Sequence, residues 1–296
     1  LSSVAWEWVI PLLLAVAASY GSTSMFIVRM RNFALDVPNN RSMHSVPVPR
    51  TGGWAFLLGC LVAVVAGPLD LSPLVLAAFV LLLGVSALDD LRDVPIHFRF
   101  SAHLLAVALL LFALPERLEW WLYPIFILAG AWVVNLYNFM DGMDGLAGSM
   151  TLVGFSSLGV ICALNGDMEL AWLCALVAVC ASVFLVFNWP SAKIFLGDAG
   201  STGIGLAVVA VSLFGWQRGA FELWMPVVIF APFWLDATYT LLKRMVSGQR
   251  WWEPHREHFY QRYAIRAGVK KALVLQLGAM IFFSLLALAA AVFAKV

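Results

Sequence analysis

The segment Asn135-Leu-Tyr-Asn138-Phe-Met-Asp141-Gly-Met-Asp144-Gly-Leu-Ala-Gly148 places two carboxamides and two carboxylates at three-residue intervals, followed by glycines. Three-residue steps drift only about 60° around an α-helix, so Asn135, Asn138 and Asp141 share a face. Gly142 and Gly145 can loosen the turn in which Asp144 follows. Carboxamides suit hydrogen bonding to a base or a sugar; carboxylates suit Mg2+ or ribose hydroxyls. A helix C-terminus capped by polar groups is the plainer alternative, but the helix dipole disfavours acids there.

Four further segments carry residues of this kind. Asp89-Asp90-Leu-Arg-Asp93 ends an apolar run with adjacent like charges, which a cation or a proton-transfer role would justify. The plainer alternative is a solvated loop start with Asp93 paired to Arg92 or Arg99. Phe195-Leu-Gly-Asp198-Ala-Gly-Ser-Thr-Gly203 leads into another apolar run. Its glycines, Ser201, Thr202 and a helix N-terminus would make an anion site, with Asp198 beside it able to hold a metal bridging to the same anion. It lacks the Gly-Lys-Ser/Thr ending of a Walker loop. The stretch 36–53 holds Arg41, His44 and Arg50 among prolines and a Gly-Gly pair, an ordered non-helical loop whose basic groups could bind phosphate. His255-Arg256-Glu-His258-Phe-Tyr260-Gln-Arg262 could contact phosphates as well; two histidines without a third close ligand make a weak zinc site. Asp236 is an acid inside an apolar run, too far from Lys243 or Arg244, at roughly 10 Å, to pair with them directly.

The elements that position these groups are apolar spans. Of 296 residues, 62% are hydrophobic and 12% charged, which excludes an ordinary soluble domain and indicates an all-α, polytopic integral membrane protein. About ten transmembrane helices are expected, at 4–28, 53–67, 73–88, 100–114, 120–135, 148–164, 170–187, 203–217, 222–242 and 271–294. Residues 4–28 read as a first span rather than a cleaved signal peptide. Of 18 Lys and Arg, only Arg117, Arg218 and Lys295 fall on the side away from the motifs. The positive-inside rule then puts the motif loops in the cytoplasm and both termini outside, periplasmic in a bacterium. Tryptophans near span ends, including Trp251 and Trp252, fit an interfacial belt. A net charge of +1 gives no electrostatic case for nucleic acid. The four cysteines lie in apolar runs without metal spacing and read as core residues. With no repeat and no linker, residues 1–296 form a single transmembrane domain whose site is built by the cytoplasmic loops.

Taken in order, Asp-Asp-x-x-Asp, Asn-x-x-Asn-x-x-Asp-Gly-x-Asp-Gly-Leu-Ala-Gly, Phe-Leu-Gly-Asp-Ala-Gly-Ser and a late His-rich loop resemble the polyprenyl-phosphate N-acetylhexosamine-1-phosphate transferases over nearly the whole chain. The Asp93 position and the His-Arg-x-His-x-Tyr-Gln-Arg loop are closer to the O-antigen-initiating branch than to the enzymes that make lipid I of peptidoglycan. The resemblance implies a bacterial inner-membrane enzyme with UDP-N-acetylhexosamine and undecaprenyl phosphate as substrates. The lipid bilayer and a second copy of the chain, in a homodimer, are its other implied partners. The cofactor would be Mg2+, with Mn2+ as a substitute, and the sugar GlcNAc or a 6-deoxy-N-acetylhexosamine such as FucNAc. By matching motifs, Asp198 would be the metal ligand. Asp89 would orient or deprotonate the lipid phosphate with Asp90 beside it. Asn135, Asn138, Asp141 and Asp144 would hold the nucleotide, with Phe195 stacked on uracil. Arg50, Arg99, His255, Arg256 and His258 would contact phosphates. Direct attack is favoured over an aspartyl-phosphate intermediate. The competing class is a transporter of an anionic sugar-phosphate solute; such proteins carry polar residues at the bilayer midplane and repeat symmetry, and neither is visible here.

Overall fold

The computed structural model describes residues 3–30, 32–38, 43, 45–250 and 255–293. Arg41, His44, Trp251 and Trp252 therefore lie outside the described residues. The described residues are all-α apart from one short antiparallel pair. α1 is Ser3–Arg29, followed by β1 (Leu35–Asp36) and β2 (Val48–Pro49), paired Leu35 to Pro49. Then come α2 (Gly52–Ala66), α3 (Pro73–Leu91), α4 (Ile96–Phe112), α5 (Leu122–Met140), α6 (Leu146–Leu164), α7 (Met168–Asn188) and α8 (Gly197–Gln217). α9 (Trp224–Ile229), α10 (Ala231–Val246), α11 (Phe259–Ala267) and α12 (Val269–Phe293) complete the chain.

Seven of these helices are long and apolar enough to cross a membrane, α1, α3, α5, α6, α7, α8 and α12. Two more of the ten expected spans, α2 and α4, are apolar but shorter. The span expected at 222–242 is broken into α9 and α10 at Phe230. Pro232 supplies the reason: it has no N–H for the carbonyl one turn before it, so the helix restarts there. The His-rich segment is partly helical where the sequence pattern gave only a loop. Its residues 259–267 form α11, an amphipathic helix of about two and a half turns, too short and too charged to register as a span.

α6, α7 and α8 form the interior. Two thirds or more of their spans are buried, against a third or less for α1, α3, α5 and α12. In a bilayer, helices associate through close packing more than through hydrophobic exclusion, so small residues mark their contacts. α8 follows this rule. A Cβ on Gly205 would stand 2.9 Å from Val134 Cα on α5, and one on Gly53 would stand 2.4 Å from Gly200 Cα. Large apolar side chains such as Val65, Val80 and Leu128 point outward, as lipid-facing residues do.

Candidate active site

The motif segments converge at one end of this bundle. α8 begins at Gly197, whose φ of +76° a side chain would resist. A Cβ there would also meet the Arg50 carbonyl at 2.4 Å and Asp90 Oδ1 at 2.8 Å. Asp90 occupies this helix end. Its Oδ1 accepts the Asp198 N–H at 2.7 Å, and its Oδ2 accepts the Ala199 N–H at 3.2 Å and Trp54 Nε1–H at 3.0 Å. The anion expected at the α8 N-terminus is thus supplied by the chain itself. Ser201 and Thr202 do not cap; their hydroxyls donate back to the carbonyls of Gly197 and Asp198 within the helix.

The loop entering α2 is sewn to the one entering α8. Phe195 N–H donates to the Pro49 carbonyl, Gly52 N–H to Phe195 and Gly53 N–H to Leu196, at 2.7–2.8 Å. Arg50 and Phe195, far apart in sequence, become neighbours in one wall. Opposite them, Asp89 accepts the Val94 N–H at 2.8 Å and Arg99 Nη1 at 2.6 Å. Asn138 accepts from the Ser201 hydroxyl at 3.2 Å, and Asp144 accepts the Ala192 N–H at 3.0 Å.

These walls enclose a cavity of about 500 Å3, within the usual size of a small-molecule site. Asp89, Asn138, Asp141, Asp144, Phe195, Asp198, Arg50, Arg99 and His255 all line it. Asn135, Asp90, Arg256 and His258 do not: Asn135 lies one turn deeper in α5, Asp90 sits behind the α8 end, and His258 is buried beside α10. Three contributors escaped sequence reasoning. Asp36 lines the cavity from the strand pair, and Asn188 does so while bonding Gly145 N–H and the Ile194 carbonyl, which fixes both adjacent loops. Gln261 presents a buried Oε1 without a hydrogen-bond partner. Asn188 could have been found, as an amide ending a long apolar run.

The cavity is strongly acidic. Asp36, Asp89, Asp93, Asp141, Asp144 and Asp198 face two arginines and one histidine. Burial, then the charges of Asp198, Asp90, Asp144 and Asp36, raise the Asp141 carboxyl well above the usual carboxylate range. Burial, with His258 and Arg244, pushes His255 down to about 4, so its ring is neutral at pH 7. The Nε–H groups of Arg50 and Arg99 are buried and have no hydrogen-bond partner. Two arginines in a cavity wall fit an anionic ligand, and the surrounding carboxylates fit a cation that accompanies it. No three His, Cys, Asp or Glu groups among the described residues are placed to hold a metal alone. That donor set matches Mg2+, which commonly takes one or two carboxylates and completes its shell with water and phosphate oxygens.

Residues 72–215, from the start of α3 through most of α8, match the family model of glycosyl transferase family 4. A probable undecaprenyl-phosphate N-acetylglucosaminyl 1-phosphate transferase of Bacillus subtilis is 30% identical over 77% of this chain and 69% of its own. An undecaprenyl-phosphate α-N-acetylglucosaminyl 1-phosphate transferase of Yersinia pestis is 29% identical over 79% and 70%. A phospho-N-acetylmuramoyl-pentapeptide-transferase of Listeria welshimeri is 34% identical over a shorter stretch, 42% of this chain and 37% of its own.

Proposed function

Because this chain belongs to glycosyl transferase family 4, we propose that it transfers an N-acetylhexosamine 1-phosphate from a UDP-linked donor to undecaprenyl phosphate, in a bacterial cytoplasmic membrane and at its cytoplasmic face. An oxygen of the lipid phosphate forms a bond to the sugar-linked phosphorus. The bond from that phosphorus to the bridging oxygen breaks, and UMP leaves with the electron pair. The observation that carries this reading is the cavity itself, six carboxylates and two arginines at the mouth of an apolar bundle. Phosphoryl transfer needs positioning and charge neutralisation more than covalent help, and these groups supply both.

Arg50 and Arg99, which line the cavity, take phosphate oxygens through their guanidinium groups. Asp89 now pairs with Arg99; on arrival of the lipid phosphate it orients that anion, and little base catalysis is required because a phosphate monoester is largely ionised at pH 7. Asn138, Asp141 and Asp144 hold the nucleotide and Phe195 stacks on uracil. Asp198, with Asp141 near it, would hold Mg2+, which when bound neutralises the diphosphate and stabilises charge on the transferred group. The loops on this end carry most of the chain's basic residues, which supports their cytoplasmic placement. The donor sugar is GlcNAc or a 6-deoxy relative, and the product would initiate a cell-surface polysaccharide such as O-antigen.

The test is UMP release by purified protein given undecaprenyl phosphate, Mg2+ and a panel of UDP-N-acetylhexosamines, with a no-lipid control. Lipid-dependent UMP from one donor is expected. Asp198→Asn abolishes the Mg2+-dependent turnover while the protein stays folded in detergent. No UMP from any donor would overturn the reading, and full turnover by the variant would remove Asp198 from the metal site.

A further inference from the structure

Asp236, the acid that the sequence leaves without a partner, has a defined role in the structure. It sits on α10 with 9% of its surface exposed. Its Oδ1 accepts the Phe259 N–H at 2.7 Å and its Oδ2 accepts the Tyr260 N–H at 3.0 Å. Those are the first two amides of α11, which no carbonyl of that helix can satisfy. An acid on one helix therefore caps another, and Thr240 adds a hydroxyl to Oδ1 at 3.3 Å. The same Oδ1 lies 3.7 Å from Nδ1 of His258, a ring 4% exposed whose Nδ1 makes no hydrogen bond. Arg244, one of the bases considered for Asp236, pairs instead with Glu257.

His255 and His258 thus have different surroundings. His255 lines the cavity, and its Nδ1 accepts the Glu257 N–H at 3.3 Å. In the neutral ring the proton then sits on Nε2. The two imidazoles lie 4.9 Å apart, and His258 stacks on Tyr260 at 5.8 Å. Tyr260 donates to the Phe139 carbonyl at 3.3 Å, which ties this turn to the segment bearing Asp141.

We propose that Asp236 and His258 form a buried brace that positions His255, and that of the two histidines only His255 touches substrate, donating Nε2–H to a phosphate oxygen. This rests on the phosphoryl-transfer reading. His258 and Asp236 are positioning residues, acting through the placement of the turn 255–258. A displacement of about 1 Å at a reacting group costs about 100-fold in rate, so a brace remote from the substrate can still govern turnover.

Two substitutions separate this role from packing. His258→Phe keeps the ring and its stacking but removes the polar Nδ1 that faces Asp236 Oδ1 at 3.7 Å; His258→Asn loses the ring but sets a polar amide near the same place. In the full chain, His258→Phe is expected to lower kcat about 100-fold with the UDP-sugar KM little changed, and His258→Asn to recover at least about tenfold of that loss. The reverse order, or equal losses in both, would assign His258 to packing or to direct contact and overturn the brace. A second measurement does not depend on turnover. Hydrogen exchange at the Phe259 and Tyr260 amides should accelerate in Asp236→Ala, and at one of the two in Asp236→Asn should the alanine variant not fold. Unchanged exchange overturns the brace whether or not any donor releases UMP, while faster exchange in a chain that releases none leaves the brace standing and removes only the transferase reading.

Discussion

Asp141 is held where its charge is disfavoured: burial first, and then four other carboxylates, raise its pKa. The folded chain therefore binds that proton more tightly than the unfolded chain does. Stability from this group is greatest below the ordinary carboxylate range and declines as pH climbs toward the raised value. Asp141→Asn should escape that decline. Its unfolding temperature in detergent should exceed the parent's at neutral pH, with the advantage vanishing toward about pH 4. Turnover should fall about 100-fold or more, because the lost carboxylate serves the substrate complex. A variant no more stable than its parent at pH 7 would show that the like charges cost nothing. At this scale the sequence was most informative where polar groups interrupt apolar runs, as at Asp89, Asn138, Asp141 and Asp198, since a bilayer makes each of them expensive. It set Asp90 beside Asp89 at the lipid phosphate and did not show that this acid lies outside the cavity lining, its carboxylate taken by the α8 amides and Trp54. Gln261 was equally hidden, one polar residue in a polar segment.

Between elements, the contact of greatest consequence is that of α2 with α8. Gly53 and Gly200 let two backbones meet, and the Gly52 and Gly53 amides bind the carbonyls just before α8. Gly53→Ala would press a methyl against backbone that cannot turn aside. A loss of about 1–3 kcal/mol is expected, seen as a lower unfolding temperature in detergent, together with reduced turnover as Asp198 and Arg50 shift apart. Parent-like values for both would mean the helices can separate freely. The elements themselves were legible from hydropathy, because each helix must bury its own amides in lipid. The exceptions have physical causes. The run at 222–242 is mostly apolar in spite of Asp236, so hydropathy carried the span through Pro232, where a missing N–H breaks it. α11 is capped by Asp236 from another helix, and no local pattern encodes a partner more than twenty residues away.

For the whole molecule, the convergence of motif loops at one end follows from an antiparallel succession of spans, which the alternation of basic residues announced. The cavity's composition was legible; its walls were not, because they are sewn by backbone hydrogen bonds such as Phe195 to Pro49, to which every residue type contributes alike. One further matter of scale concerns α2 and α4. At 15 and 17 residues they extend about 22 and 26 Å, short of the roughly 30 Å of a bilayer's hydrocarbon core. Both begin at the cavity, near Arg50 and Arg99. A membrane that meets these helices must thin beside them, and thinning draws the headgroup plane down toward the cavity floor. Hydrophobic mismatch would then act as part of the acceptor site, delivering a lipid phosphate to the arginines without lifting its chain from the bilayer. Reconstituted into vesicles of increasing acyl length, the protein should lose turnover as the bilayer thickens while keeping its affinity for the UDP-sugar; a rate indifferent to thickness would show that the lipid reaches the site some other way.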